Sequence, residues 1–162
     1  MMKASSRTAI ERSQTIERIC LRLLARREHS QRELLEKLAL RGFSQDEATP
    51  IIAKIAEQNW QNDARFAEVF VRQRIANGYG PLRIRYELQQ RGVAAVDLDA
   101  LAEETAGGWL EQLLALYSRK YAAEQTLSQT EWLKRSRFLQ QRGYSGEMIK
   151  QLLAELKIKL TR

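Results

Sequence analysis

The chain has one cysteine, one histidine and two prolines in 162 residues, and each scarcity excludes something. The lone Cys20 forbids an internal disulfide and fits a reducing compartment, so a cytoplasmic setting is expected. One histidine, His29, with one cysteine does not supply the usual zinc ligand set. No Gly-x-x-x-x-Gly-Lys-Ser/Thr loop is present to cradle the phosphates of ATP. No catalytic constellation emerges, and no metal, cofactor or enzymatic activity is expected. There is no apolar run long enough to cross a bilayer. Residues 1–12 mix charges and hydroxyls without the apolar segment of a signal peptide, and are expected to form a flexible tail. With eight glycines and no stretch of β-branched alternation, the expected fold is all-α.

What is present is charge and repetition. The formal net charge is +7, which favours a polyanionic partner such as a nucleic acid or nucleoprotein, and 44% of residues are apolar, enough for a core. The charge is patterned, because residues 94–106 carry four acidic groups and no basic one. Leu38-Ala39-Leu40-Arg41-Gly42-Phe43, Leu88-Gln89-Gln90-Arg91-Gly92-Val93 and Leu139-Gln140-Gln141-Arg142-Gly143-Tyr144 share the pattern Leu-x-x-Arg-Gly-apolar, at spacings of 50 and 51 residues. Periods of that size mark stacked helical units. In each copy a helix ends on arginine, glycine takes the left-handed position beyond it, and an apolar residue folds back on the last turn.

Capping signatures set the helix starts. Ser30-x-x-Glu33, Ser44-x-x-Glu47 and Ser128-x-x-Glu131 have capping-box spacing, and Ser145 is a further N-cap. Three units of three helices follow, at 13–59, 60–106 and 107–162. Such units bury little alone and dock on their neighbours, so an elongated, curved rod is expected. In the first unit Ile16, Ile19, Cys20, Leu23 and Leu24 form one helical stripe, with Cys20 as a core residue. Pro50 leaves two possibilities for the third helix, a kink after a Ser44 cap or a start nearer Thr49. In the third unit Trp132, Leu133 and Phe138 are expected to line the second helix. Trp60, Trp109 and Trp132 are expected to pack between helices, and His29 to lie in a solvated link.

The stretch 62–93 carries the densest signal. Phe66, Val69 and Phe70 read as one apolar stripe, with Arg65 and Arg72 on another face. The turn Gly78-Tyr79-Gly80-Pro81 supplies residues that accept positive φ and a proline suited to a first helical position. The next helix turns Ile84 and Leu88 inward and Arg83, Glu87 and Gln90 outward.

These residues resemble a known signature. Asp63-x-Arg65-Phe66-Ala67, Arg72-x-Arg74, and Gly78-x-Gly80-Pro81-x-Arg83-Ile84-x-x-Glu87-Leu88-x-x-Arg91-Gly92 are similar to the central motif of the RecX regulatory proteins, bacterial modulators of the RecA recombinase. The resemblance covers nearly the whole chain after the tail. It implies a non-catalytic protein that binds RecA filaments on single-stranded DNA, lies in their groove, and restrains ATP hydrolysis, strand exchange and coprotease activity. It also implies some affinity for single- or double-stranded DNA.

Arg72, Arg74, Arg83 and Arg85 flank the central turn and are expected to meet acidic RecA surface or filament DNA, followed by Lys134, Arg135 and Arg137. The planar guanidinium fork can meet a carboxylate or a phosphate with two hydrogen bonds. Asp63, Arg65, Phe66, Gly78, Gly80, Pro81, Gly42, Gly92 and Gly143 are assigned to the structural motif. Blander roles stand beside these: Arg65 and Arg72 have Glu68 on the same helix, and Arg41, Arg91 and Arg142 sit where the helix dipole favours cations. Tyr79 either stacks on a ligand or closes over the core. The competing function is a sequence-specific DNA-binding regulator of helix-turn-helix type, which short helices and basic charge would also suit. Against it, Gln89, Gln90, Gln140 and Gln141 crowd at C-terminal helix ends, not at the N-terminal end that reads bases. Stacked units require no second chain, so a monomer is expected.

Overall fold

The computed structural model describes residues 2–162 of the chain, which are mostly helical. In order, the elements are α1 (Met2–Arg26), α2 (Gln31–Leu40), α3 (Gln45–Glu57), α4 (Asp63–Ala76), α5 (Pro81–Gln90), α6 (Leu98–Ala106), α7 (Trp109–Lys120), β1 (Thr126–Ser128), α8 (Gln129–Gln141), α9 (Gly146–Leu156) and β2 (Lys159–Thr161). Two compact units result: Met1–Val69 with Gln90–Val93, and Phe70–Gln89 with Ala94–Arg162.

The first unit is built on α1 to α3. Ile16, Cys20 and Leu23 of α1 meet Leu34 and Leu38 of α2 and Ala48, Ile52 and Ile55 of α3. Each fully buried Ile or Leu is worth roughly 1.5–3 kcal/mol against leaving it in water. Cys20 is among them, and burial pushes its thiol up to about 11, with Glu17 adding to the effect, so it is an inert core residue. Helix α1 starts at Met2 where the sequence suggested a start near Ser13. Arg12, at the edge of the expected tail, holds the next layer: its guanidinium pairs with Glu47 at 2.5 Å, donates to the Gly42 carbonyl and lies over the Phe43 ring. Ser44 caps α3 with a complete box, and the helix continues through Pro50. The proline removes the N–H that would reach the Asp46 carbonyl, at an exposed position where that carbonyl is open to solvent. His29 is buried, contrary to its expected solvation, and Trp60 is 62% exposed, contrary to its expected packing.

The second unit has its core at Leu113, Leu116 and Tyr117 of α7, Leu127 of β1, Trp132 and Leu139 of α8, and Tyr144, Ile149 and Leu152 around α9. Strands β1 and β2 are a small addition to the expected all-helical chain. They pair in parallel, Thr126 with Lys159, Leu127 with Leu160 and Ser128 with Thr161. Three-residue strands are too short to show the alternation that betrays longer ones. Ser128 caps α8 through the Glu131 N–H, but the Glu131 carboxylate turns to Arg135. Asp97 caps α6, and Gly107 and Gly108, both at positive φ, end α6 and begin α7. Among the described residues no helix is long and apolar enough to cross a membrane.

Helix α4 corrects the expected stripe. Its buried residues are Phe66, Ala67, Val71 and Ile75, a run at i, i+1, i+5 and i+9, while Val69 faces outward. The buried line follows Ala67, Val71 and Ile75 at four-residue steps.

Candidate partner interface

The central turn and the third Arg-Gly turn form an interlock within the second unit. The Gly80 N–H donates to the Arg142 carbonyl at 2.7 Å, and the Leu82 N–H to the Gly143 carbonyl at 3.0 Å. The Tyr144 hydroxyl, fully buried, donates to the Gly78 carbonyl at 3.2 Å, and burial pushes its pKa up. A Cβ on Gly80 would lie 2.6 Å from the Gly143 backbone, and one on Gly143 would lie 2.5 Å from Arg83 Cβ and 2.7 Å from its nitrogen. Gly143 also sits at φ +103. Both glycines are therefore required by contact, and Gly143 by conformation as well. Pro81, with no N–H to lose, opens α5 between the two hydrogen-bonded amides and is itself buried.

Above this interlock the Tyr79 ring collects three guanidiniums. Arg83 lies 4.5 Å from the ring centre, Arg142 4.8 Å and Arg74 5.3 Å. Arg142 also donates to the Asn77 carbonyl, and Arg83 to the Gln141 carbonyl. Glu87 offsets part of the charge. It faces Arg74 Nε at 2.8 Å, close enough for an ion pair though at a poor hydrogen-bonding angle, and Arg83 Nε at 3.3 Å. Glu87 is thus half-enclosed between two arginines, not the outward residue the helical wheel suggested. Tyr79 is a hub for cations and does not close over the core.

In the first unit the remaining motif residues hold the link between α1 and α2. The Asp63 carboxylate accepts the Gln31 N–H at 2.9 Å and the Gln61 side-chain amide at 2.8 Å. Gln61 is buried and donates to the His29 carbonyl as well. Arg65 pairs with Glu28 at 2.5 Å and donates to the Asn59 and Trp60 carbonyls. Gly92 rests on Arg32, where an added Cβ would lie 3.1 Å from the Arg32 Cβ, and Arg91 approaches Glu33 at 3.9 Å. Gly42 is different, with nothing within 4 Å of an added Cβ.

The seven basic residues expected to touch a partner divide sharply. Arg72 pairs with Glu104 at 2.7 Å, which gives the acidic stretch 94–106 a role. Arg74 and Arg83 belong to the Tyr79 cluster. Arg135 is 6% exposed, and this corrects its assignment as a contact. It donates to the Tyr117 hydroxyl at 2.7 Å, Glu124 at 3.2 Å and Glu131 at 3.1 Å, partners that overcome its desolvation and raise its pKa. The repeat register held the clue: counting back four residues from Leu38, Leu88 and Leu139 gives Leu34, Ile84 and Arg135, and the first two are core. By the same count Leu133 matches exposed Leu82, and Leu133 is 52% exposed, not core. Arg85, Lys134 and Arg137 remain exposed, with no ion pair or hydrogen bond among the described residues. Arg142 was named only as a helix cap, and its place beside Tyr79 depends on a contact across 63 residues that no local pattern encodes.

Among the described residues no group of three or more His, Cys, Asp or Glu is placed to hold a metal ion. What the surface offers is charge and apolar area on helices.

Comparison with known proteins places the fold. Residues 18–54, 62–100 and 110–153 match, in turn, the first, second and third three-helix domains of RecX. A regulatory protein RecX from Halorhodospira halophila is 41% identical over 138 residues, spanning 85% of this chain and 86% of the relative. One from Pseudomonas putida is 40% identical over 139 residues, 86% of this chain and 89% of the relative. A crystal structure of regulatory protein RecX superposes with a TM-score of 0.70 at 18% identity, covering 94% of this chain and 77% of the other. The crystal structure of RecX from Lactobacillus salivarius gives 0.62 at 22%, covering 91% and 97%. Three consecutive domain matches and relatives at this identity along most of their length make the chain a member of the RecX family of regulatory proteins.

Proposed function

We propose that the chain is a negative regulator of RecA that binds RecA filaments on single-stranded DNA, lies along their groove, and inhibits ATP hydrolysis, strand exchange and coprotease activity. The observation that carries this reading is the separation of its cations. Arg72, Arg74, Arg83 and Arg135 are held by partners within the chain, whereas Arg85, Lys134 and Arg137 stand outward on α5 and α8, the second helices of the second and third domains. A non-catalytic ligand acts by favouring one geometry of its partner over another, and needs only contacts that differ between the two. Outward cations on consecutive domains suit a long acidic surface, and the protein acts as a monomer in 13–59, 60–106 and 107–162 units. DNA contact is secondary and weak.

The test is RecA ATPase on single-stranded DNA. The wild-type chain is expected to inhibit it, and the triple variant Arg85→Ala, Lys134→Ala, Arg137→Ala to inhibit about tenfold less well with an unchanged circular dichroism spectrum, each lost charge-assisted contact being worth about 1 kcal/mol or less at an exposed site. Full inhibition by the triple variant rejects the assignment of these cations. A wild-type chain without effect on the ATPase rejects the function.

A further inference from the structure

Helices α5 and α8 each present an exposed leucine at the same register, with outward cations at different positions of the turn beside it. Aligned on Leu-x-x-Arg-Gly, Leu82 falls on Leu133, Arg83 on Lys134, Tyr86 on Arg137 and the pair Gln89-Gln90 on Gln140-Gln141. Leu82 is 51% exposed and Leu133 52%, and each has within one helical turn a cation with no ion pair or hydrogen bond among the described residues: Arg85 beside Leu82, and Lys134 and Arg137 beside Leu133. The first domain lacks this face. At the register of Leu82 it has Arg32, a charged residue that faces Glu36 at 3.5 Å and whose stem lies against Gly92.

We propose that these two faces are a duplicated protein-docking surface, each taking an equivalent patch on a different subunit of a repeating acidic protein. The partner's chemistry follows from the residues. A phosphate backbone would satisfy Arg85, Lys134 and Arg137 but leave Leu82, Leu133 and the 62%-exposed Tyr86 in water. A protein patch with an apolar centre and a carboxylate rim satisfies both: tyrosine and arginine are the residue types enriched at protein interfaces, and the two exposed leucines add the apolar area that such a centre would cover. Beside Leu133 the surface opens into a shallow cleft of about 420 Å³ lined by Trp132, Leu133, Gln140, Ile149, Lys150 and Leu160, large enough to take apolar side chains of the partner. Two copies of one surface on one chain match a partner that presents one surface many times. The second contact is then intramolecular, and affinity multiplies without new chemistry.

This inference rests on the filament reading above, and its test separates the two. Leu82→Asp and Leu133→Asp place a carboxylate opposite an acidic rim at sites too exposed to unfold the chain, and Leu40→Asp, at the most exposed leucine of the first domain, is the control. Binding of each to RecA filaments assembled on single-stranded DNA is measured by co-sedimentation, and binding to the same DNA without RecA by fluorescence anisotropy, with thermal melts to show that folding is intact. Each single variant is expected to bind filaments at least tenfold more weakly, the double variant more weakly still, while DNA binding and Leu40→Asp stay at the wild-type level. Two unimpaired single variants overturn the proposal. An effect at only one leucine overturns the duplication, and equal losses on bare DNA show the faces to be nucleic-acid contacts. A wild-type chain that fails to bind filaments rejects the function itself, not the assignment of the faces.

Discussion

Gly92 and Gly143 follow equivalent helices, and each rests on the start of the second helix of the preceding domain, yet different forces hold them there. At Gly143 the fastening is built on the main chain: two N–H groups of the 80–82 segment donate to the carbonyls of Arg142 and Gly143, and the side chains that join them, Tyr144, Arg142 and Arg83, also donate to backbone carbonyls. At Gly92 it is side chain and charge. Gly92 lies on the Arg32 stem, and around it Arg91 and Arg27 reach Glu33, Asp63 holds the Gln31 N–H, and Arg65 pairs with Glu28. One sequence signature therefore marks where a turn will be, while its environment decides what the turn is for. A backbone joint tolerates no added atom, and its bonds to neutral carbonyls have no group that titrates with acid. A charged joint bends to a substitution but answers to acid.

The largest effect should come from filling the backbone joint. Gly143→Ala puts a Cβ 2.5 Å from Arg83 Cβ and 2.7 Å from its nitrogen at a positive φ, and the two turns must part. A destabilisation of about 3–5 kcal/mol is expected in urea unfolding, from overpacking added to backbone strain. Gly92→Ala meets only a side chain at 3.1 Å and should lose about 1–2 kcal/mol. Gly42→Ala meets nothing and should lose about 1 kcal/mol from the left-handed backbone alone. Equal losses at all three would show that conformation governs these turns and that the interlock adds nothing.

The next prediction compares the third domain with the first two at one register. Arg135→Ala removes a buried cation from Tyr117, Glu124 and Glu131 and should destabilise by about 2–3 kcal/mol, the acids being half-exposed and able to recover water. Arg135→Leu restores the residue type found at Leu34 and should fall within about 1 kcal/mol of wild type. That contrast shows how far the sequence could be read. Helix starts at Ser30, Ser44, Ser128 and Ser145 and helix ends at the three Arg-Gly pairs are local chemistry, and each stands where its signal lies. Burial is not local. A window around Arg135 shows a basic run, Lys134-Arg135-x-Arg137, that reads as a solvated patch, and only alignment to the other two copies moves its middle member inside. The same limit applied to Val69 and Leu133, whose outward placement depends on which neighbour each helix meets, and to the ring of Arg74, Arg83 and Arg142 around Tyr79, assembled from three helices.

The smallest effect should be the acid response of the charged joint, and it tests whether the two joints differ in kind. His29 is buried beside the Gln61 and Asp63 contacts; its Nδ1 is 3.0 Å from the Arg27 carbonyl and its Nε2 has no hydrogen-bond partner among the described residues. Burial lowers its pKa below the usual 6.5, outweighing the bond to Arg27, so the folded state prefers the neutral ring. For Glu33 burial pushes up, but Arg27 and the Ser30 N–H outweigh it and the net shift is below 4.5. Both groups bind protons more readily when unfolded. The stability they provide is complete above the unfolded values and is lost as pH falls, first below about 6.5 for the histidine, then below about 4.5 for the glutamate. Hydrogen exchange corrected for intrinsic rates should therefore show the Ser30 and Gln31 amides losing protection between pH 7 and 4, while the Gly80 and Leu82 amides, bonded to neutral carbonyls, keep theirs. In His29→Gln the first part of that loss should vanish and the part below pH 4.5 should remain. Parallel loss at all four amides would mean that acid acts on the whole chain and that the joints share one chemistry.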